Sequence, residues 1–142
     1  MAYLVVPQNI QKLEYDVTTA EGSGHVTVVT GMLPYGLQAY SNNATANSQS
    51  ASLRALVDPK LSPGQFRRAT AMAAIVDVYF GANAAPAFQQ FGVQEVEATF
   101  DDESGQIVLR VDITVQAQNG NMVVNKVNFQ VTTLSINPPN PA

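Results

Sequence analysis

Cysteine and tryptophan are absent from the 142-residue chain, and histidine occurs once. With no thiol there is no disulfide framework, no thiolate metal site and no cysteine nucleophile, and the redox compartment stays open. Charge is scarce as well: 13% of residues are Asp, Glu, Lys or Arg, about half the usual ~25%. The net charge is −4, and Arg67-Arg68 is the longest basic run. Phosphate neutralisation, the basis of nucleic-acid binding, is therefore not expected. No apolar run approaches the ~20 residues of a membrane-spanning helix. The first residues, Met1 to Lys12, lack the positively charged lead and apolar stretch of a secretory signal. The expectation is a soluble protein with no membrane contact.

What replaces charge is amide, hydroxyl and alanine. Small domains normally stay apart by being charged. An amide-rich surface suits a protein that works against copies of itself or neighbouring subunits. Hydrophobic residues make up 46% of the chain, enough for one core, and the length fits one domain over residues 1–142.

The strongest pattern runs from Val93 to Leu134. Ile107, Leu109, Val111, Ile113 and Val115 alternate with Val108, Arg110, Asp112 and Thr114, the period of a half-buried strand. Val93 to Phe100 precedes this run across an acidic turn. A third run follows the Asn119-Gly120 turn, with Val123, Val127, Phe129 and Val131 on its inward face. The three predict an antiparallel meander. Upstream, Leu13, Tyr15 and Val17 alternate with charged residues, Glu21 to Gly24 supplies a turn, and Val26 and Val28 follow, predicting a hairpin. Gly31 to Gly36, with Pro34, reads as a break. The 37–58 segment is mixed: loop, weak helix, or a short helix over Ala51–Val57.

Ser62-Pro63-Gly64-Gln65 has the form of a helix start, with a cap residue, proline next and Gln three positions after the cap. Phe66, Ala69, Ala73, Val76 and Phe80 then recur at helical spacing, and Gly81 offers a stop. A helix over Pro63–Phe80 is predicted. The fold class that follows is α+β: four to five antiparallel strands with one long helix laid across a face. The expected core is Leu13, Tyr15, Val17, Val26, Val28, Phe66, Ala69, Ala73, Val76, Phe80, Val96, Phe100, Ile107, Leu109, Val111, Ile113, Val127, Phe129 and Val131.

Catalytic chemistry is thin. His25 stands at a strand start with no orienting partner in the sequence pattern. Asp101-Asp102-Glu103 caps a turn but lacks the spaced carboxylates of a calcium loop. There is no Gly-x-Ser-x-Gly elbow and no phosphate loop. Tyr3, Tyr15, Tyr35, Tyr40 and Tyr79 are scattered and form no platform for bases or sugars. Asn43-Ala44-Thr45 has the glycosylation spacing but no secretory context. The chain reads as non-enzymatic, with no cofactor and no metal.

The two ends carry the remaining signal. Residues 1–9 form an extended arm whose Tyr3, Leu4, Val5 and Val6 are apolar. Residues 136–142 form a tail with Pro138, Pro139 and Pro141, which cannot be helix or strand. Tyr3, Leu4, Val5, Val6, Pro138 and Pro139 are the expected assembly contacts. A helix followed by a valine-rich meander resembles small tail and baseplate proteins of bacteriophages. Tyr79-Phe80-Gly81-Ala82-Asn83 before valine-rich strands resembles the soluble part of Tad-type pilus-assembly proteins, without their N-terminal membrane helix. The expected function is a structural subunit of a virion capsid, neck or tail, located in the virion and bound to copies of itself and to neighbouring structural proteins. The alternative is a monomeric binding module with an apolar pocket between Phe66, Tyr79, Phe100 and Phe129.

Overall fold

Eight strands and no helix account for the regular structure of residues 2–136, which the computed structural model describes. They are β1 (Ala2–Leu4), β2 (Gln8–Thr19), β3 (Gly22–Ser41), β4 (Asn47–Val57), β5 (Phe66–Ala82), β6 (Phe88–Asp101), β7 (Gln106–Gln118) and β8 (Gly120–Ile136). One sheet has the order β1-β4-β7-β6, the other β2-β3-β8-β5. Read side by side, the orders match β1 with β2, β4 with β3, β7 with β8 and β6 with β5. Each strand thus has a sequence neighbour at the same rank of the other sheet. All pairings are antiparallel except β1 with β4.

The expected helix over Pro63–Phe80 is not formed, and the α+β class is replaced by an all-β sandwich. Those residues are β5, paired along its length with β8. The start signal itself is real. Ser62 donates its N–H and its hydroxyl to Gln65 Oε1, each at 2.9 Å. The turn then runs into a strand because Ala69, Ala71, Ala73 and Ile75 all point inward while Thr70, Met72 and Ala74 point outward. Alanine on both faces satisfies either period, and β-branched and aromatic residues from Ile75 onward favour the strand.

Three other expectations change. The meander holds for β6 and β7, but β8 lies in the opposite sheet, so Asn119-Gly120 is a crossover rather than a hairpin turn. Asn119 is buried with φ of 52°. It accepts from Asn83 N–H at 2.8 Å, and its own N–H donates to Asn43 O at 2.9 Å. Its side-chain amide donates to Pro86 O at 2.8 Å. Gly120 packs so closely on Gly81 O that a Cβ there would collide. Gly31 to Gly36 does not end a strand; β3 continues to Ser41 with a register shift between Pro34 and Leu37. The 37–58 segment becomes the end of β3, a short loop and β4, whose Ala51, Leu53, Ala55 and Val57 are all buried.

The core lies between the sheets. Every odd residue from Ile107 to Ala117 is fully buried, facing Leu33, Met122, Val124, Val127 and Val131 from the other layer. On β8 the inward row changes parity across exposed Asn125 and Lys126, so Met122 and Val124 point in and Val123 does not. Leu13 and Tyr15 are not core but 62% and 48% exposed, because they sit beside Val28 and Val26 on the side of the sheet opposite Val29. Val76 and Phe80, assigned to the core through the helical period, are 50% and 65% exposed. Phe66 and Phe100 stack at 5.2 Å on the half-buried fringe.

The buried hydroxyls of Thr27 and Thr133, register partners on β3 and β8, have no hydrogen-bond partner. An unsatisfied buried hydroxyl costs about 1–3 kcal/mol. Thr27→Val combined with Thr133→Val is expected to raise unfolding free energy by about 1 kcal/mol or more. Leu109→Ala should lower it by about 2–5 kcal/mol, and Leu13→Ala by no more than about 0.5 kcal/mol. Urea denaturation of the three variants checks the inward row, the polar defect and the outward row together.

Candidate functional site

The residues expected to make assembly contacts separate once the fold forms. Ala2–Leu4 adds to its own sheet as β1, and Val5 N–H donates to Arg54 O at 2.7 Å. Val5 is buried in the core, and the Tyr3 ring tilts against Tyr35 at 5.1 Å. The arm is therefore part of the domain as far as Val5. Leu4 and Val6, at 76% and 78%, remain exposed. Pro138 and Pro139 lie outside the described residues. Without a helix, the pocket expected between Phe66, Tyr79, Phe100 and Phe129 does not exist: Phe129 is buried and Tyr79 faces outward.

His25 is held by partners that the sequence pattern did not suggest. Its Nδ1 lies 2.9 Å from Asp16 Oδ1 and its Nε2 3.4 Å from Glu14 Oε1. The hydrogen bond to Asp16 raises its pKa, opposed by partial desolvation and reinforced by Glu14. Lys12 sits in the same row, 3.9 Å from Glu14 and 3.7 Å from Asp58. This is a cross-strand clamp between β2 and β3. In the acidic turn, Asp101 Oδ2 accepts from Ser104 N–H at 3.1 Å and from its hydroxyl at 2.6 Å. Those bonds hold the Asp101 carboxyl below its usual range. The turn is closed by its own first residue.

Charge is divided unevenly between the outer faces. On the β1-β4-β7-β6 sheet Arg110 meets Asp112 at 2.9 Å, Glu95 at 3.1 Å and Glu97 at 3.8 Å. Arg110 and a Ser52 hydrogen bond lower the pKa of Asp112. The other sheet's outer face carries Gln11, Leu13, Tyr15, Val28, Thr30, Met32, Thr70, Met72, Asn128, Gln130 and Thr132 with few charges. An open groove of about 700 Å³ crosses all four of its strands between Gln11, Thr30, Met32, Met72, Asn128 and Gln130, and its lining has no charged side chain. At its rim Asn9 adopts a left-handed φ of 53° where β2 shifts register against β3.

Four aromatic side chains are exposed on the two long edge strands, Phe80 and Phe91 on the side of Met122 and Val115, Tyr79 and Phe88 on the outer sides. Tyr79 and Phe80 of β5, and Phe88 and Phe91 of β6, are 44–65% exposed. The strands are tied where these rings emerge, since the Gln89 amide donates to Gly81 O at 3.0 Å. The sequence pattern assigns Tyr79 and Phe80 to a helix and gives Phe88 and Phe91 no role.

No family model matches the chain, no curated protein matches it, and no solved structure matches its fold. No helix among the described residues is long and apolar enough to cross a membrane.

The raised pKa of His25 fixes a sign. A folded-state value above the ordinary 6.5 means that the clamp stabilises the fold fully below that pH and that the contribution is lost as pH rises through the folded value. Melting temperature should therefore fall across the window that begins near 6.5 in the parent, and this component should vanish in His25→Gln. The lowered Asp101 and Asp112 values act at the other end, stabilising above the carboxylate range and losing effect in acid. Melting curves across pH for parent, His25→Gln and Asp101→Asn separate the two limbs.

Proposed function

We propose that this chain is a non-enzymatic structural subunit that associates with copies of itself and with neighbouring structural proteins, and that its setting is a bacteriophage virion. The observation that carries the reading is the apolar flank of Tyr79, Phe80, Phe88 and Phe91 on adjacent edge strands. Aromatic side chains left this exposed cost free energy in water and mark contact surfaces. Both strands are long, and edge strands that stay apart are normally shortened or guarded by charge. Their charges, Arg67, Arg68 and Asp77 on β5 and Glu95, Glu97 and Asp101 on β6, all lie outside the stretch from Tyr79 to Phe91. The non-enzymatic part rests on chemistry: His25 is engaged on an open strand surface, and the groove is lined by amides, hydroxyls and methyls with no acid or base. The virion setting rests on the amide-rich, cysteine-free, charge-poor composition.

Gel filtration with light scattering over a concentration series tests association. The parent is expected to exceed the monomer mass as concentration rises. Phe80→Ser with Phe91→Ser is expected to move that rise to higher concentration at an unchanged melting temperature, because both rings lie outside the core. A parent that stays monomeric throughout, or a variant that assembles like the parent, overturns the reading.

A further inference from the structure

The groove on the β2-β3-β8-β5 face has a floor and a chemistry that match one segment of this same chain. Its apolar groups are small: Met32, Met72, Ala74 and the backbone at Gly31. Its amides are Asn9 and Gln11 from β2 and Asn128 and Gln130 from β8, and Gln11, Thr30, Gln130 and Met72 stand in register across the four strands. No charge lines it. The backbone groups of β3 and β8 beneath are consumed by sheet pairing on both sides, so a ligand meets side chains only. A proline-rich segment is the natural counterpart. It has few N–H donors, it leaves its carbonyls without internal hydrogen bonds, and its rings are apolar. Side-chain amides donate to such carbonyls, and methionine and alanine receive pyrrolidine rings.

Asn137-Pro138-Pro139-Asn140-Pro141-Ala142 is such a segment, with no charged side chain. It leaves β8 at Ile136, on the same sheet as the groove. Its own groove is out of reach. Six residues of extended proline-rich chain span ~19 Å, and the return along β8 from Ile136 to Gln130 already takes ~20 Å. Nothing would be left to lie across four strands, a width of ~14 Å. A second copy has no such restriction.

We infer that the groove binds residues 137–142 of a neighbouring copy, seated across the sheet along the row Gln11, Thr30, Gln130 and Met72. The contact is heterologous, tail of one copy to face of the next, so it builds a ring or a run of subunits rather than a closed pair. The inference rests on the self-associating reading above and names a second contact within it, one that does not involve the aromatic flank.

The test uses the full chain and a fluorescein-labelled synthetic peptide of residues 135–142, with binding read by anisotropy. The peptide is expected to bind the parent and the Phe80→Ser/Phe91→Ser variant alike. Gln11→Ala with Gln130→Ala, both at the surface, should weaken binding at least tenfold at an unchanged melting temperature. A peptide with Pro138 and Pro139 replaced by alanine should bind at least tenfold more weakly to the parent. No saturable binding at millimolar peptide, or equal binding to the groove variant, overturns the inference and assigns the groove to a different ligand. Because the readout is peptide binding, failure here leaves the flank result standing, and a flank variant that assembles like the parent leaves this one standing.

Discussion

The inward row of β7 is the constraint on which the rest depends. Six consecutive inward positions from Ile107 to Ala117 are fully buried, and they press against Met122, Val124, Val127 and Val131 of the strand that follows in sequence. A shift of one residue in either strand would turn an entire apolar row to water, so the register of both sheets is pinned here. Asn119 sets the geometry of the crossing between them, with its backbone and side chain bonded to the two neighbouring loops. The flanking strands add to this central pair. The partial exposure of inward alanines on β5 shows how quickly burial falls away toward that edge.

How far the sequence could be read follows from side-chain size. The β7 row and the β2–β3 hairpin were legible because Val, Leu and Ile alternate there with polar residues. β4 carried the same alternation, with Ala51, Leu53, Ala55 and Val57 against Ser50, Ser52 and Arg54, but its small residues blurred the contrast. β5 failed for the same reason in stronger form: Ala69, Ala71, Ala73 and Ala74 fit both periods, and a genuine Ser62–Gln65 turn tipped the choice toward helix. The crossover at Asn119 was hidden because Asn-Gly is also the commonest hairpin signature, and only tertiary partners distinguish the two uses. Among the site residues, the exposure of Leu4 and Val6 was legible. The burial of Val5 was not, since it depends on a parallel pairing with β4 some fifty positions away. The groove could not be read at all, because its lining comes from four strands far apart in sequence.

The two outer faces divide the work of solubility. The charged network around Arg110 gathers Glu95, Glu97 and Asp112 onto the outer face of one sheet, while the groove on the outer face of the other is amide-lined. Exposed ion pairs of this kind contribute little to stability. Their placement matters more than their strength. A chain with so few charges keeps one face hydrated and leaves the other, together with the β5–β6 flank, cheap to desolvate.

The position of β8 has a consequence for how the protein is made. It is the last strand in the chain among the described residues, yet it lies in the middle of its sheet, bonded to β3 on one side and β5 on the other. As the chain emerges from a ribosome, β5 has no sheet partner, and the inward row of β7 lacks the strand that covers it at the same rank, until residues beyond Gly120 appear. The sandwich therefore closes late and from its C-terminal end, with pairings of long sequence separation of the kind that fold slowly. Until then the nascent chain displays the same apolar rows that later become the core. For this architecture the vulnerable period is synthesis, when unpaired strands of many copies stand close together on one message.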